Sequence, residues 1–405
     1  MINLVLAWRN LWRNKRRTLI TTAMIFLAVV LSVTMQSVQR GIYDRNIDNI
    51  VRYSMGYIQV GAAGHHEDKT LETSVELTDE LIDKIKSVKG VADVLPRIEN
   101  VGLVATDTSS KEALIQATDP EVEDKLTGLR HRVISGEYIN QSDRSVMIAS
   151  GLAKRLRLQV NDTIIILSIG YHGTSANGKY PVKAILELGS PELNRRMIYM
   201  PLKMAQNMFY LGDNVSNISV LLEDKRRSEE IATEIQAAIG DEYEALHWKQ
   251  LLPELSQMIE GDEASGNIMF AILYVIIAFG VFGTVLMMLA ERRREFGVVT
   301  AIGMKRHKLA VIVVLENFIT AFMGALLGMV GAMGPVLALK NNPVSLAGDM
   351  KEAYEKLGFE PVITADVYQF AFVNNALLVF FIALVLSIYP LVKILRIKPI
   401  DYLRS

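Results

Sequence analysis

The segment Gly173–Tyr180, GTSANGKY, comes close to the phosphate-binding loop of nucleotide hydrolases. That loop reads G-x-x-x-x-G-K followed by Ser or Thr, because a hydroxyl at the last position holds a magnesium ion. Gly173, Gly178 and Lys179 match the pattern, whereas Tyr180 stands where Ser or Thr is required. The spacing therefore raises the question of ATP hydrolysis, and the neighbouring sequence answers it.

The residues on both sides of this segment are typical of β-strands. Runs rich in β-branched residues precede and follow it, in DTIIILSIGYH and KYPVKAILEL. A phosphate loop needs a helix directly after it, with the helix N-terminus facing the phosphates, but Pro181 and a strand follow here. Asn177–Gly178 is a strong hairpin-turn signal. We therefore expect a hairpin with Asn177 and Gly178 at its tip and no ATPase in this chain.

A second candidate for chemistry is the run His65–Asp68, HHED. Imidazole and carboxylate groups bind metal ions, but adjacent residues rarely converge on one ion, so an exposed loop is the expectation. The spacing of the other histidines and acids assigns no Ser/His/Asp or paired-carboxylate site. The sequence predicts no catalytic residue, no metal site and no cofactor bound by this chain, which is expected not to be an enzyme.

Four apolar stretches are long enough to cross a bilayer, which takes about 20 helical residues. We predict spans at 18–38, 263–290, 309–339 and 370–392. Residues 39–262 are polar and numerous enough to fold separately. The chain has no cysteine, so this domain must hold together without disulfides. The predicted fold class is an α-helical membrane protein with four transmembrane helices and a large α+β domain between helices 1 and 2.

The placement of charged residues predicts the orientation of these spans. Residues 1–17, the loop 291–308 and the tail 393–405 are rich in Lys and Arg, whereas acids predominate in the loop 340–369. Short cationic segments stay in the cytoplasm. We therefore expect both termini and residues 291–308 inside, and residues 39–262 and 340–369 outside, where ATP is scarce.

Residues 1–17 are predicted to form a helix on the inner membrane surface. Trp8 and Trp12 suit the headgroup layer, and Arg9 and Arg13 fall together on another face. The alternative is a basic flank that only orients the first span.

Two segments of the outer domain share a plan in which a helix ends at Gly and a strand follows. Both helices begin with two acids, which favour the positive end of a helix dipole, and they end at Gly90 and Gly240. We infer two α/β halves, with a β-rich stretch of about 100–217 inserted between them.

The loop after the second span is the main candidate for a partner contact. Phe296, Val299 and Ile302 form an apolar stripe among charges, with Gly297 and Gly303 as expected bends. Such a stripe can insert into a groove on another protein; the alternative is a basic reversal between spans. The predicted coupling residues are Arg292, Arg293, Glu295, Phe296, Gly297, Val299, Ile302, Gly303, Met304, Lys305 and Arg306.

The third span contains a small-residue face and one acid. Gly324 and Gly328 form G-x-x-x-G, which Gly331 prolongs, and this spacing lets helices approach closely, within one chain or between two copies. Glu316 lies in the inner part of the span. An acid there needs a partner, and a structural ion pair is favoured over a proton path because no other acid accompanies it.

These segments together resemble the MacB/LolC/LolE/FtsX superfamily of ABC-transporter permeases over most of the chain. The similar motifs are W-R-N-L-W-R-N-K-R-R-T-L-I-T at 8–21, R-R-R-E-F-G-V-V-T-A-I-G-M-K-R at 292–306 and Y-P-L-V-K-I-L-R-I-K-P-I-D-Y-L-R at 389–404. The strand–helix–strand passage 146–166 also matches, with Asn161 where Gly is usual. The run L-L-P-E-L at 251–255 resembles the lipoprotein-release permeases.

The resemblance implies a permease of the bacterial inner membrane that works by mechanotransmission. A separate cytoplasmic ABC ATPase dimer, which binds ATP and Mg, would pull on residues 291–306 of two permeases, either two copies or a pair of homologues. For a lipoprotein-release system, the cargo would pass from the lipid bilayer to a periplasmic carrier. MacB-like efflux of peptides or toxins and FtsX-like regulation of a cell-wall hydrolase are the alternatives. No nucleic-acid partner is expected.

Overall fold

The computed structural model describes residues 2–13, 15–68, 70–356 and 359–396. The structure describes the predicted tail 393–405 and the motif at 389–404 only as far as position 396. Their remaining residues lie outside the described residues. Within the described ranges, the α-helices are α1 Ile2–Arg13, α2 Lys15–Ile47, α3 Asp79–Lys86, α4 Pro120–Thr127, α5 Ser150–Leu156, α6 Pro191–Asn194, α7 Leu202–Phe209, α8 Ser228–Ile239, α9 Trp248–Leu251, α10 Pro253–Glu291, α11 Arg293–Ala301, α12 Arg306–Asn341, α13 Gly348–Lys356, α14 Gln369–Leu386 and α15 Ile388–Leu395.

The strands of the same ranges are β1 Ile58–Ala62, β2 Val75–Glu76, β3 Val91–Ala105, β4 Ser110–Thr118, β5 Val133–Gly136, β6 Val146–Ala149, β7 Thr163–Ile169, β8 Ser175–Leu186, β9 Met197–Pro201, β10 Asn214–Val215, β11 Asn217–Leu222, β12 Tyr243–His247, β13 Val344–Ser345 and β14 Val362–Ile363.

The chain divides into two compact units. The helical unit comprises Met1–Tyr43, Ile259–Ser345 and Val362–Ser405, and the α+β unit comprises Asp44–Met258 and Leu346–Pro361. In the described part of the chain, four helical segments are long and apolar enough to cross a membrane: Thr18–Arg52, Pro253–Glu291, Arg306–Asn341 and Gln369–Leu395. The predicted fold class, four membrane helices with a large α+β domain between the first two, is confirmed. The helices extend past the predicted spans, because polar residues continue their hydrogen-bonded turns.

One ten-stranded sheet forms most of the α+β unit, and β2 pairs with β10 in a separate two-stranded sheet. The order of the larger sheet is β12-β1-β11-β3-β4-β9-β6-β8-β5, and β7 pairs with both β3 and β8. The strands β3, β4, β9, β6, β8 and β7 therefore close into a ring. Residues of β7 alternate between the core and the surface, because Ile164 and Ile166 are fully buried while Leu167 is exposed. The burial of these isoleucines stabilises the ring. The sequence predicts that the β-rich stretch begins at about position 100, but β3 runs through that position from Val91 to Ala105. The predicted insert and the strands on either side of it therefore share one sheet.

The two predicted α/β helices are α3 and α8. Leu81 and Ile85 of α3, and Ile231 and Ile235 of α8, are buried in the same core, as helical periodicity requires. Thr78 caps α3 by accepting a hydrogen bond from the amide of Leu81 at 3.3 Å, a contact that stabilises a helix by about 1 kcal/mol. The amphipathic pattern therefore predicts both buried faces. Helix α8 ends at Gly240 as predicted, whereas α3 ends at Lys86, before the predicted Gly90.

The hairpin around GTSANGKY forms, but its turn is not at Asn177–Gly178. β7 and β8 pair with Ile169 opposite Ser175, so the turn is Gly170–Thr174 and Gly178 lies inside β8 opposite Ile166. The positive φ angles that a tight reversal needs belong to His172 (55°) and Gly173 (67°). Lys179 is a strand residue with no helix after it, so the segment does not form a phosphate loop.

Position 161 explains one departure from the family motif. Asn161 has a φ of 75°, in the left-handed region that Gly adopts freely and Asn tolerates better than most residues. The turn into β7 therefore accepts either residue.

A carboxylate clamp closes residues 346–361 onto the end of α2 within the α+β unit. Glu360 accepts hydrogen bonds from Arg45 Nε at 2.5 Å, Arg45 Nη2 at 2.9 Å and Asn49 Nδ2 at 2.6 Å. Its amide donates to Asn46 Oδ1 at 3.2 Å. Burial acts to raise the pKa of the Glu360 carboxyl, but the hydrogen bonds and charge of Arg45, with Asn49, lower that pKa below its ordinary value.

Replacement of Glu360 by Gln is expected to lower the free energy of unfolding by about 1–3 kcal/mol at pH 7, the range for a lost charged hydrogen bond. Because the folded pKa is lowered, the charged clamp stabilises the protein above the ordinary pKa of Glu and is lost as the pH falls through the lowered value. Thermal unfolding of wild type and Glu360→Gln should therefore converge in acid. A stability difference that stays constant from pH 7 to pH 3 would contradict this role.

Candidate coupling site

The joint between α10 and α11 is a helix break of one residue. Arg292 separates the two helices, with φ −98° and ψ 7°. Its amide still donates to the carbonyl of Met288 at 3.2 Å, and its own carbonyl accepts from the amide of Phe296 at 3.0 Å. The backbone hydrogen bonds therefore continue through the change of direction, and α11 is firmly attached to the end of the second span.

The side chain of Arg292 is buried beside two carboxylates. Its exposed fraction is 6%, and that of Glu316 on α12 is 1%. Arg292 Nη1 lies 2.5 Å from Glu316 Oε2, and Arg292 Nε donates to Glu295 Oε2 at 3.1 Å. Charges removed from water need such partners, since either group left alone would be strongly destabilising. Glu316 thus has the ion-pair partner that its place in the span requires.

The N-terminal helix completes this ionic network. Asn10 Nδ2 donates to Glu316 Oε1 at 2.7 Å, and Arg13 Nη2 lies 3.0 Å from Glu295 Oε2. We define the ion network as Asn10, Arg13, Arg292, Glu295 and Glu316. It joins α1, α11 and α12 within the helical unit, so these three helices cannot move independently without breaking charged contacts.

Helix α1 packs partly on protein, whereas the sequence predicts a helix that lies on the membrane surface. Ala7 and Leu11 are buried, whereas Trp8 and Trp12 are about half exposed. The tryptophans therefore remain available for a lipid contact, while Leu11 faces other helices. Sequence reasoning missed Asn10, because a single Asn in a basic amphipathic helix carries no signal of a partner 306 residues away.

Phe296 must be removed from the predicted partner-binding stripe. Its ring is 1% exposed and belongs to an apolar cluster with Met288, Leu289, Leu309, Ala310, Val313 and Ile394. The guanidinium of Arg292 lies 5.0 Å from the centre of this ring. Phe296 therefore anchors α11 inside the helical unit and is not available to a partner's groove.

The exposed apolar side chains of α11 and its end are Val298 and Ile302. Ile302 is 82% exposed and Val298 is 43% exposed. Gly297 lies in the middle of α11 and is buried, so its prediction as a bend is wrong: the packing of Phe296 keeps this turn helical. Gly303 has a φ of 107° and does reverse the chain after α11. Val299, the third residue of the predicted stripe, is half-buried.

Exposed cations lie at the start of α11 and beyond its end. Arg293 and Arg294 are exposed at the start of α11, and Lys305, Arg306 and Lys308 are exposed at the start of α12, whereas Met304 packs against the Phe296 cluster. The N-terminus of a helix carries partial positive charge, so basic residues there are unfavourable on their own. This arrangement favours an acidic binding partner near the tip of α11.

The small-residue face of α12 packs on α2. A Cβ built on Gly324 would lie 2.7 Å from Ile25 Cβ, and one on Gly328 would lie 2.7 Å from Val29 Cβ. A Cβ built on Gly331 would lie 2.6 Å from the ring of Phe26, whereas a Cβ built on Gly334 would have no neighbour within 4 Å. The sequence leaves open whether this face packs within one chain or between two copies. The structure displays packing within the chain at Gly324, Gly328 and Gly331.

The run His65–Asp68 lies in the loop after β1. Nδ1 of His65 is 2.6 Å from the hydroxyl of Thr73. Among the described residues, no group of three or more His, Asp or Glu side chains is arranged to hold a metal ion. The coupling site is therefore the arrangement with the clearest functional geometry.

Comparison with known protein families places this geometry in context. Residues 18–238, more than half of the chain, match the MacB-like periplasmic core domain, and residues 267–399 match the FtsX-like permease C-terminal domain. The chain belongs to the MacB/FtsX family of ABC-transporter permeases. The lipoprotein-release subfamily is not distinguished by these matches.

Several MacB/FtsX relatives align over most of the chain. The macrolide export ATP-binding/permease protein MacB of Nitrobacter winogradskyi is 23% identical, covering 80% of this chain and 50% of its own length. MacB of Bdellovibrio bacteriovorus is 22% identical, covering 88% of this chain and 53% of its own. An ABC transporter permease of Methanocaldococcus jannaschii is 21% identical, covering 98% and 96%. The chain thus spans about half the length of the two MacB relatives.

Two solved structures of transporter domains outside the membrane also resemble part of the chain. The extracellular domain of the noncanonic ABC-type transporter YknZ from Gram-positive bacteria is 15% identical, with a TM-score of 0.34, over 47% of this chain and 99% of that domain. The periplasmic region of MacB from Actinobacillus actinomycetemcomitans is 13% identical, with a TM-score of 0.35, over 54% and 97%.

Proposed function

We propose that this protein is the permease subunit of an ABC transporter in which a separate cytoplasmic ATPase dimer drives movements of the α+β unit. ATP and Mg bind to the ATPase, and this chain supplies the docking surface and the moving helices. Two permease chains, identical or homologous, complete the transporter. Both termini and α11 lie in the cytoplasm, because the short cationic segments 1–17 and 291–308 are retained there.

The exposed tip of α11 is the observation that carries this proposal. An isoleucine that is 82% exposed at the C-terminal end of a short helix, with arginines before and after it in the sequence, suits insertion into an apolar pocket with an acidic rim. Phe296 and the ion network fix the other side of α11 to α10, α12 and α1. A push or pull on Ile302 is therefore passed to the membrane helices instead of being absorbed by a mobile loop.

Replacement of Ile302 by Asp is expected to weaken the association with the ATPase at least tenfold, because a charge would enter an apolar pocket near the centre of the contact. The measurement is the amount of ABC ATPase, and its ATP turnover, recovered with the tagged permease after gentle solubilisation. Ile134→Asp is the matched control, since Ile134 is 59% exposed in the α+β unit. Equal recovery of ATPase with wild type and Ile302→Asp would remove α11 from the coupling mechanism.

The substrate class proposed is an amphiphilic molecule exported from the outer side of the membrane. The names of the two MacB relatives refer to macrolide export, which favours export of an amphiphilic molecule over lipoprotein release. Lipoprotein release is supported only by the resemblance of the run Leu251–Leu255. A strain lacking the protein should become more sensitive to macrolides or amphiphilic peptides while its lipoproteins remain correctly sorted. Lipoproteins stranded in the inner membrane, with unchanged drug sensitivity, would instead support a lipoprotein-release permease with a periplasmic carrier.

A further inference from the structure

An apolar groove between α1, α2 and α12 in the helical unit is not explained by coupling. Its volume is about 510 Å³, within the range of roughly 300–1,000 Å³ that is usual for small-molecule pockets. The apolar side chains that line it are Trp8, Leu11, Trp12, Leu19, Met323 and Leu327. Such a lining suits a hydrocarbon chain.

One end of this groove is cationic. Lys15 and Arg16, the first two residues of α2, line it and are exposed, and the described lining contains no carboxylate. Within the described residues, neither side chain is in an ion pair, whereas nearby Arg13 is bound to Glu295. The ammonium of Lys15 lies 5.9 Å from the ring centre of Trp12. These two cations beside tryptophans therefore define the charge and the depth of the group that the groove would hold.

We propose that this groove binds an anionic phospholipid, with one acyl chain along the apolar wall and the phosphate held by Lys15 and Arg16. Tryptophans prefer the interface between headgroups and acyl chains, and basic pockets between membrane helices bind anionic headgroups. A zwitterionic lipid fits the same apolar wall, but it lacks the net negative charge that compensates both cations. The site involves only helices of one chain, so it does not depend on the proposed ATPase partner.

Bound lipid would act directly on the coupling site. The groove is lined by α1 and α12, and the ion network ties the same two helices together through Asn10 and Glu316. A lipid in the groove therefore stabilises one arrangement of α1 against α12.

Three tryptophans make this site measurable. The chain contains only Trp8, Trp12 and Trp248, so a Trp248→Phe background leaves two reporters, both in the groove. The full-length protein is reconstituted in vesicles of phosphatidylcholine in which the fraction of brominated phosphatidylglycerol or of brominated phosphatidylcholine is varied over the same range. We expect phosphatidylglycerol to quench the fluorescence at several-fold lower fractions.

Substitution of the cations separates a specific site from general contact with lipid. Lys15→Gln and Arg16→Gln should each lower the preference for phosphatidylglycerol about fivefold, with unchanged quenching by brominated phosphatidylcholine as proof of correct insertion. Lys308→Gln, which removes an exposed cation elsewhere, should retain the preference. Equal quenching by both lipids in the Trp248→Phe background, or a preference that survives both cation substitutions together, would overturn the proposal.

Discussion

Replacement of Glu316 by Ala is expected to lower the free energy of unfolding by about 3–5 kcal/mol, because it leaves the buried guanidinium of Arg292 without its main partner. Glu316 is 1% exposed and lies 2.5 Å from Arg292, so water cannot replace the lost carboxylate. The same substitution removes the acceptor for Asn10. Thermal unfolding of the detergent-solubilised protein, followed by tryptophan fluorescence, measures the effect.

Two further variants distinguish an unpaired charge from a general loss of packing. Glu316→Gln keeps the shape and part of the hydrogen bonding, so its cost should be smaller than that of Glu316→Ala. The double variant Arg292→Met with Glu316→Leu removes both charges, and replacements of this kind are often neutral for stability. If Glu316→Ala were as stable as wild type, the buried ion pair would not exist in the folded protein.

Replacement of Gly328 by Leu is expected to destabilise the packing of α12 on α2 by about 3 kcal/mol, at the upper end of the usual cost of overpacking. A Cβ at this position would lie 2.7 Å from Val29 Cβ and 3.0 Å from the carbonyl oxygen of Phe26. A backbone atom cannot move aside as a flexible side chain can, so the helices must separate. Loss of this contact also removes the dispersion energy that holds membrane helices together.

Gly334→Leu is the matched control for this prediction. It lies on the same helix six residues later, but a Cβ there meets no atom within 4 Å. The yield of folded protein and its thermal unfolding should fall sharply for Gly328→Leu and stay near wild type for Gly334→Leu. An equal fall at the two positions would point to contacts with a second copy, and not to the packing of α12 on α2, as the cause.

Local patterns of the sequence were sufficient for the elements whose burial follows a simple period. The four apolar stretches are helices in the structure, and α3 and α8 have the predicted buried faces. Glu316 has a partner because any buried acid requires one. These features depend on residues close together in the chain, which a single sequence displays directly.

The hairpin turn was misplaced because burial, not turn propensity, decides the register. Ile164, Ile166, Ala176 and Val182 are all fully buried, and the observed pairing places these even-numbered residues on one face. A turn centred on Asn177–Gly178 would pair even-numbered with odd-numbered positions. It would set the fully buried Leu186 opposite Ile169, which is 69% exposed, and a shift of one residue moves a whole strand face out of the core.

The coupling site was only partly predictable because its burial comes from distant segments. Phe296 and Ile302 are both apolar residues in a basic loop, and the sequence does not distinguish them. The structure does, since Ile394 and the start of α12 cover Phe296 and leave Ile302 exposed. In the same way, Arg292 is indistinguishable from Arg293 and Arg294 until Glu316 is seen beside it.

The coupling mechanism requires α11 on the cytoplasmic side of the membrane and the α+β unit on the outer side. The chain has no cysteine, so single cysteines placed at Ile302 and at Ile134 give clean reporters for α11 and for the α+β unit. They are treated with a membrane-impermeant maleimide in cells whose outer envelope is permeable and whose cytoplasmic membrane is intact. We predict labelling of Ile134→Cys in these cells and of Ile302→Cys only after lysis. Labelling of Ile302→Cys in intact cells, with Ile134→Cys protected, would contradict a cytoplasmic ATPase acting through α11.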